Sequence, residues 1–209
     1  MIKVESIHDK FANTYIVSNG QDLLIIDPAI EIRSIEQMIT RYFNNQNVVG
    51  IVLTHGHYDH FKNLKEVYLK YRVPIYVTKN DSTKLNDVVL SCANLFGILK
   101  LDNCDYQFKY LQEGNTEIGS FKIKVLYTPG HTNGSICVIV DDVLFSGDTL
   151  FLDGVGRTDL PTGNSIMLNK SIIRLMNIEK NYKVFPGHGE PTTIELERKY
   201  NYYYQKIKN

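Results

Sequence analysis

Hydrophobic and polar positions follow two periods along this chain, and together they predict a mixed α/β protein. Apolar residues recur every third or fourth position over residues 32–43, 64–71 and 166–178, as on one face of an amphipathic helix. Two more helices are predicted over residues 82–96 and from about residue 193. Alternating or continuous apolar runs predict strands at residues 2–7, 15–18, 23–27, 48–53, 75–77, 106–111, 121–127, 136–140, 143–145 and 183–185.

The middle of the chain also predicts how some strands pair. Residues 106–111 and 121–127 alternate as a pair of neighbouring strands would. The dipeptide Asp141-Asp142 separates two apolar runs and has the length and composition of a tight hairpin turn. Because no linker, repeat or low-complexity tract divides the sequence, we expect one domain over residues 1–209.

Composition and charge narrow the function. The chain has 209 residues, 43% of them hydrophobic, which is enough for a sizeable core. Its 23 basic and 23 acidic residues leave no net charge, which argues against nucleic-acid binding as its function. Three separated cysteines fit reduced thiols. Without a signal peptide pattern or a membrane-spanning apolar run, we expect a cytoplasmic protein with no membrane partner.

The residues that follow the predicted strand 48–53 form the motif that indicates a function most clearly. Here His55, His57, Asp59 and His60 fall within six positions, although the whole chain has only 6 histidines, so chance clustering is a poor explanation. Imidazole suits zinc and iron, and a carboxylate among imidazoles allows a site with two cations. His55 and His57 alternate as the strand ends, whereas Asp59 and His60 open a helix. The two pairs can therefore face neighbouring metal ions.

Two further histidines lie in similar positions. His131 belongs to Thr-Pro-Gly-His-Thr and His188 to Pro-Gly-His-Gly, and each turn directly follows an apolar strand. Loops at the ends of strands converge on one edge of a sheet, where a rigid scaffold fixes their geometry. We therefore expect both histidines beside the first cluster, which leaves only His8 without a predicted role.

The order of these motifs resembles the metallo-β-lactamase superfamily. The series is His-x-His-x-Asp-His, then Pro-Gly-His-Thr, then Ser-Gly-Asp-Thr at residues 146–149, then Pro-Gly-His-Gly, and it extends over nearly the whole chain. The segments Gly-Arg-Thr-Asp-Leu-Pro at 156–161 and Pro-Thr-Thr-Ile at 191–194 are similar to those of compact, glyoxalase II-like bacterial hydroxyacylglutathione hydrolases. The resemblance implies an αββα sandwich of two mixed sheets flanked by helices.

The resemblance also implies a dinuclear metal site. Two divalent ions are expected, with zinc as the first choice and iron or manganese as alternatives. A water between them would supply hydroxide near neutral pH, so no serine or cysteine nucleophile is needed. Asp59 and Asp148 would be the catalytic carboxylates. The implied ligands are His55, His57 and His131 for one metal, Asp59, His60 and His188 for the other, and Asp148 between them.

Substrate contacts are expected from two residues outside this set. Arg157 lies where glyoxalase II relatives place a basic residue near glutathione, although a buried salt bridge to Asp153 or Asp159 explains it equally well. Tyr58 is adjacent to the ligands and is the second candidate, with simple packing as its alternative. The resemblance implies hydrolysis of a small-molecule thioester such as S-D-lactoylglutathione. We expect no C-terminal helical extension of the kind that binds glutathione in the full-length enzymes.

Several other functions remain open at this stage. Asp148 stands where the commonest β-lactamases of the superfamily carry a thiolate, which speaks against antibiotic hydrolysis. A persulfide dioxygenase shares Gly-Arg-Thr-Asp but uses a single iron held by two histidines and one aspartate. Lactonase or ribonuclease activity is the third hypothesis for the function. A binding protein that has lost its chemistry is the least favoured, because all seven ligand positions are filled. The sequence does not give the oligomeric state.

Overall fold

A computed structural model describes residues 2–8, 11–43, 46–102 and 104–208, and its centre is a pair of six-stranded sheets. The first sheet has the order β1-β2-β3-β4-β5-β6, with β3 to β6 parallel. Its strands are β1 (Lys3–Ile7), β2 (Thr14–Ser18), β3 (Asp22–Ile26), β4 (Asn47–Val52), β5 (Ile75–Val77) and β6 (Phe108–Tyr110).

The second sheet has the order β14-β13-β10-β9-β8-β7, and only its pair β10 and β13 is parallel. A separate two-stranded ribbon joins β11 to β12. The strands are β7 (Gly114–Ile118), β8 (Phe121–Tyr127), β9 (Ile136–Val140), β10 (Val143–Gly147), β11 (Leu150–Phe151), β12 (Gly154–Val155), β13 (Lys183–Pro186) and β14 (Thr192–Thr193).

Helices cover the outer face of each sheet. Apolar residues of α1 and α3 pack on the first sheet, and those of α5, α6 and α7 pack on the second. The helices are α1 (Ile32–Tyr42), α2 (Tyr58–Phe61), α3 (Leu64–Tyr71), α4 (Lys79–Ser82), α5 (Ser165–Met176), α6 (Ile194–Tyr200) and α7 (Tyr202–Ile207). This is the predicted αββα arrangement of two mixed sheets flanked by helices.

Alternation along β8 shows why the sheets face each other. Phe121, Ile123 and Val125 are buried in the cluster between the two sheets, whereas Lys122 and Lys124 are exposed. The opposite sheet contributes Tyr15 and Val17, among others, to the same cluster. Burying one such side chain stabilises the fold by about 1.5–3 kcal/mol, so the inner faces hold the strand ends in fixed positions.

The prediction of a helix over residues 82–96 is wrong. The segment consists of 3-10 turns at Thr83–Asn86 and Ala93–Phe96, separated by turns. The Asp87 carboxylate accepts hydrogen bonds from the backbone N–H groups of Val89 and Leu90, both at 2.9 Å, so it supports a turn in place of a helix. Cys92 then adopts a left-handed backbone conformation, with φ of 61°, which ends any helical run.

Three other predictions about elements have different outcomes. The hairpin at Asp141-Asp142 is confirmed, since β9 and β10 are antiparallel neighbours and Asp141 has a φ of 54°. The pairing of 106–111 with 121–127 is wrong, because β6 pairs with β5 whereas β8 pairs with β9 and with β7, a strand too polar to predict. The terminal helix is broken at Asn201, whose side chain caps α7.

Among the described residues, no helix combines the length and the apolar character that crossing a bilayer requires.

Candidate metal centre

The candidate ligands lie at the carboxyl ends of strands that share one edge of the sandwich. The segment that begins at His55 follows β4, His131 follows β8, Asp148 follows β10 and His188 follows β13. Since β8, β10 and β13 run in one direction, their ends meet, and the end of β4 in the first sheet lies opposite them. The fold thus gathers residues that are up to 133 positions apart in sequence.

All seven sequence-predicted ligands come together in this cluster. Within the described residues, their donor atoms form three sets whose members lie within 4.8 Å of one another. We call these seven residues the metal cluster. The three sets are His55, His57 and His131; His55, His60 and Asp148; and Asp59, His60 and His188.

Asp148 contacts both halves of the metal cluster. Its Oδ2 atom lies 3.4 Å from Nε2 of His131 and 3.3 Å from Nε2 of His188. Its Oδ1 atom lies 3.2 Å from Nε2 of His60. The carboxylate therefore occupies the position of a bridge between a three-histidine half and a half that contains Asp59.

The spacing of the donor atoms fits metal ligation. Nε2 of His188 is 3.3 Å from Nε2 of His60 and 3.4 Å from Oδ2 of Asp59, whereas Nδ1 of His57 is 2.8 Å from Nε2 of His131, which is a hydrogen-bond distance. Two ligands at about 2.1 Å from one tetrahedral ion would be about 3.4 Å apart. Among the described residues, three buried side-chain nitrogen or oxygen atoms have no hydrogen-bond partner, and all belong to the metal cluster: His55 Nε2, His57 Nε2 and Asp148 Oδ1. A metal ion would supply the missing partner.

The two halves differ in charge. Burial lowers the pKa of His55 well below its ordinary value and that of His57 to about 3, so both are neutral imidazoles, the form that binds metal. Burial also lowers the pKa of His60, but Asp148, Asp27 and Asp59 outweigh it and raise this pKa well above the ordinary value. The carboxylates around His60 thus favour a positive charge at this place, which a cation would supply.

The pKa values of the two carboxylates in the cluster, Asp148 and Asp59, are lowered. Burial raises the pKa of Asp148, but the charge of His60 and the close approach of the His188 and His60 rings hold it well below its usual range. For Asp59, burial is likewise outweighed by His60 and His188, and the pKa is lowered. Burial lowers the pKa of His188, but contacts with the carboxylates of Asp148 and Asp59 outweigh burial and raise this pKa to about 9. Both carboxylates are therefore ionised and available as ligands.

A cavity of about 440 Å³ opens onto the metal cluster, and we call it the metal cavity. This volume is in the range of small-molecule sites. Five cluster members line it, namely His57, Asp59, His131, Asp148 and His188. The other lining residues are Cys92, Leu95, Phe96, Phe151, Val155, Arg157 and Leu160.

Arg157 lines the metal cavity, but its charge is already paired. Its Nε and Nη2 atoms donate to the two carboxylate oxygens of Asp159, each at 2.6 Å. The expected alternative of a buried salt bridge is corrected in one respect, because both side chains are exposed. The backbone has a further role, since the carbonyl oxygen of Arg157 accepts a 2.7 Å hydrogen bond from Nδ1 of His131. This contact turns Nε2 of His131 toward the other members of the metal cluster.

Tyr58 is not among the residues that line the metal cavity. Its ring packs at 5.6 Å from Phe61 and 5.7 Å from Phe96, and it lines a separate cavity of about 200 Å³ with Leu85 and Tyr106. The reason is local: Tyr58 opens α2, and the helix turns Asp59 and His60 toward the cluster and Tyr58 toward the apolar side. The structure thus places Tyr58 where packing explains it.

Comparison with known proteins agrees with the geometry of the cluster. A family model described as the metallo-beta-lactamase superfamily matches residues 9–188. The chain belongs to the metallo-beta-lactamase superfamily. The probable metallo-hydrolase YqgX of Bacillus subtilis (strain 168) is 34% identical over 193 residues, which cover 91% of this chain and 90% of that protein.

Solved structures of the superfamily share the fold over the whole length. The BLEG-1 B3 metallo-beta-lactamase has a TM-score of 0.88 and 29% identity, with 98% of this chain and 99% of that chain covered. TTHA1623, solved in a di-iron-bound form, has a TM-score of 0.83 and 28% identity, with 96% and 99% covered. This chain therefore has the metallo-hydrolase-type fold of the superfamily, and the donor atoms of the metal cluster lie close enough together to hold a metal ion.

One residue behind the cluster was missed by sequence reasoning. Asp27 follows β3, is buried, and its Oδ2 atom accepts hydrogen bonds from His60 Nδ1 at 2.9 Å and from the Thr54 hydroxyl at 2.6 Å. Its Oδ1 atom accepts the backbone N–H of Thr54 at 2.8 Å. Asp27 thus fixes the ring of His60 with Nε2 toward the cluster. The available signal was a lone aspartate at the end of a buried strand on the same edge.

A second missed carboxylate supports the three-histidine half. Asp81 is fully buried, and its Oδ2 atom accepts the backbone N–H of Gly56 at 2.8 Å and the hydroxyl of Thr132 at 2.6 Å. Its Oδ1 atom pairs with the buried Lys84 ammonium at 2.6 Å. Gly56 lies between two cluster histidines and Thr132 follows His131, so one side chain joins both ligand loops.

Gly187 provides room for the Asp148 carboxylate, and this gives a test of the cluster. A Cβ atom at this position would be 2.1 Å from Asp148 Oδ1 and 2.6 Å from His60 Cε1. We expect Gly187→Ala to weaken metal binding by roughly 10- to 100-fold, because it displaces a ligand. Competition with a chelator of known affinity measures this change.

The same motif offers a matched control. In Gly189→Ala the new Cβ atom has no neighbour within 4 Å, although the φ of +75° at this position costs about 1–2 kcal/mol of folding free energy. Metal affinity should stay within about two-fold of the parent protein. Equal losses in the two variants would show that strain in the loop, and not contact with Asp148, controls the site.

Proposed function

We propose that the protein is a dinuclear metal-dependent hydrolase that cleaves a thioester to a carboxylic acid and a thiol. The observation that carries the proposal is the position of Asp148, whose carboxylate contacts His131 of one ligand set and His60 and His188 of the other. A bridging carboxylate between two ligand sets is expected of a two-metal site and is not needed by a closed structural site with one ion.

The donor types support two divalent ions, with zinc as the first candidate and iron or manganese as alternatives. Five imidazoles and two carboxylates form a mixed nitrogen and oxygen set, which suits these metals. When bound, the pair would lower the pKa of a water to near neutrality and polarise a substrate carbonyl. His55, His57 and His131 would hold one ion, Asp59, His60 and His188 the other, and Asp148 would contact both.

The surrounding residues support hydrolysis by water without a covalent enzyme intermediate. Cys92 is the cysteine that lines the metal cavity, and burial raises the pKa of its thiol, so it is a poor nucleophile at neutral pH. Asp59 is ionised and lines the cavity, where its carboxylate can accept a proton from the attacking water. Apolar side chains form much of the remaining wall and limit the access of bulk water.

The choice of a thioester rests on the glyoxalase II-like segments and on the shape of the site. The chain carries Gly-Arg-Thr-Asp-Leu-Pro at 156–161, and this segment positions His131 through the Arg157 carbonyl. An apolar cavity beside a polar cluster suits a substrate with one hydrolysable group and an apolar remainder. S-D-lactoylglutathione is the reference substrate that the sequence resemblance supplies.

β-Lactam hydrolysis is a second candidate because of one observation. A solved structure that is 29% identical over nearly the whole chain is named a B3 metallo-beta-lactamase. Asp148 in place of a thiolate still favours the thioester, so we rank the β-lactam second. A lactonase uses the same acyl chemistry and would have to be distinguished by its substrate.

The test is a substrate panel on one metal-replete preparation. Thiol release from S-acetyl-N-acetylcysteamine and from S-D-lactoylglutathione should be measured beside hydrolysis of nitrocefin, opening of an acyl homoserine lactone, and oxygen uptake with glutathione persulfide. We expect thioester hydrolysis to have the highest kcat/KM and to disappear after chelation. A higher kcat/KM on nitrocefin or the lactone, or stoichiometric oxygen uptake with the persulfide, would overturn the proposal.

A further inference from the structure

The residues that line the metal cavity outside the metal cluster are almost all apolar. Besides Arg157 they are Cys92, Leu95, Phe96, Phe151, Val155 and Leu160. They come from two segments, one around the 3-10 turn Ala93–Phe96 and one that contains β11 and β12. A substrate that reaches the cluster therefore lies between two apolar walls.

The turn at Ala93–Phe96 holds large apolar side chains outward at the mouth of this cavity. Leu95 is 65% exposed and Phe96 is 41% exposed, although both line the cavity. The turn is fixed at both ends, because Cys92 and Gly97 have left-handed φ values of 61° and 75° and Leu95 N–H donates to Cys92 at 3.0 Å. When a ligand covers exposed apolar surface at the rim of a cavity, removal of that surface from water favours binding.

Outside the metal cluster, no described residue that lines the cavity offers an unpaired cation to an anionic thiol carrier such as glutathione. Arg157 is the one Lys or Arg among the described residues that line the cavity. Its guanidinium is engaged by Asp159 through two 2.6 Å hydrogen bonds, so the pair has no net charge. The hydrogen bond from Arg157 lowers the pKa of Asp159 to about 2, which keeps the partner ionised throughout the physiological range. A substrate carboxylate would have to compete with Asp159 for this cation.

From these observations, and on the basis of the thioesterase function proposed above, we propose that the natural substrate is a thioester with an apolar acyl chain and an uncharged thiol carrier. The acyl chain lies against Leu95 and Phe96. Water adds its oxygen to the thioester carbonyl carbon and the carbon–sulfur bond breaks. The products are the carboxylate, the free thiol and one proton.

The experiment measures how kcat/KM depends on the acyl chain and on the carrier. Metal-replete protein is assayed with acetyl, butanoyl, hexanoyl and octanoyl thioesters of N-acetylcysteamine, and with S-D-lactoylglutathione. We expect kcat/KM to rise by about two- to four-fold per added methylene until the cavity is filled. We also expect butanoyl-N-acetylcysteamine to exceed S-D-lactoylglutathione by at least about ten-fold.

Two variants connect this preference to the turn. Phe96→Ala should lower kcat/KM by about ten-fold on the hexanoyl thioester and by no more than about two-fold on the acetyl thioester. Leu99→Ala is the matched control, because Leu99 is 92% exposed, follows the same turn and is not among the cavity residues. It should leave the whole series unchanged, and circular dichroism should show both variants folded.

The outcomes separate this inference from the proposed function. If the protein hydrolyses the acetyl thioester but kcat/KM does not change with acyl chain length, the inference of an apolar acyl chain is wrong. The proposed thioesterase function then still stands. If the protein prefers S-D-lactoylglutathione to the N-acetylcysteamine thioesters and Arg157→Ala removes this preference, the inference of an uncharged thiol carrier is wrong. If metal-replete protein hydrolyses no thioester, the proposed function fails, and the inference fails with it.

Discussion

Replacing Asp59 by alanine should remove the second metal ion and lower thioester turnover by at least roughly 100-fold, while the fold stays intact. Asp59 belongs to one of the three sets of candidate ligands, with His60 and His188, and this set shares no residue with the three-histidine set. Its side chain lies at the surface of the metal cavity, so its removal leaves the apolar core unchanged. Elemental analysis and steady-state kinetics measure the two effects.

Asp102→Ala is the control for this variant. Asp102 is also an acidic residue next to α2, but it pairs with Lys65 on the surface at 3.0 Å and is not a member of the metal cluster. Its replacement should leave metal content and turnover unchanged. A folded Asp59→Ala protein that kept near-normal thioester hydrolysis would show that the reaction does not need the second ion.

Replacing Asp27 by alanine should lower both stability and metal affinity. The change leaves the backbone N–H of Thr54, the hydroxyl of Thr54 and Nδ1 of His60 without their buried acceptor. We expect the free energy of unfolding of the metal-free protein to fall by about 3–5 kcal/mol. Metal affinity should fall by roughly 10- to 100-fold, because the ring of His60 loses its fixed orientation.

Denaturant unfolding and chelator competition measure the two changes, with Asp22→Ala as the control. Asp22 begins the same strand, but its carboxylate accepts hydrogen bonds from Ser120 at an exposed position. Its loss should cost about 1 kcal/mol or less and should not alter metal affinity. If Asp27→Asn, which keeps the size of the side chain, bound metal as tightly as the parent protein, the charge of Asp27 would have no part in positioning His60.

That the seven candidate ligands lie together was predictable because they belong to motifs with local signals in the sequence. The group from His55 to His60 is contiguous, and His131 and His188 both follow a strand and a Pro-Gly turn. Because β8, β10 and β13 run in one direction in the second sheet and the end of β4 in the first sheet lies opposite them, the loops that carry these residues meet at one edge. The structure adds what spacing cannot give, namely that Asp148 contacts both halves.

The supporting carboxylates could not be predicted in the same way. Asp27 and Asp81 are single aspartates among 23 acidic residues, and although Asp27 ends an apolar run, neither belongs to a motif that marks it as a partner of the ligand loops. Their role depends on contacts with residues 25 to 51 positions away, such as Thr54, Gly56 and Thr132. The position of Tyr58 had the same difficulty, because its direction depends on how the four residues of α2 are rotated.

The fold was predicted best where periodicity was long. Helices α1 and α5 begin and end within two residues of the predicted bounds, since each carries three turns of regular apolar spacing. The segment 82–96 contains apolar residues at helical spacing, but the turn centred on Asp87 and the left-handed Cys92 interrupt it. This interruption is what exposes Leu95 and Phe96 at the metal cavity.

The central claim, a two-metal hydrolase, is tested most directly by adding zinc to the metal-free protein and following bound metal and thioester hydrolysis together. With S-acetyl-N-acetylcysteamine as substrate, we predict that about two equivalents bind per chain and that full turnover appears only as the second equivalent binds. Full turnover with a single bound equivalent, and no binding of a second one, would contradict the claim.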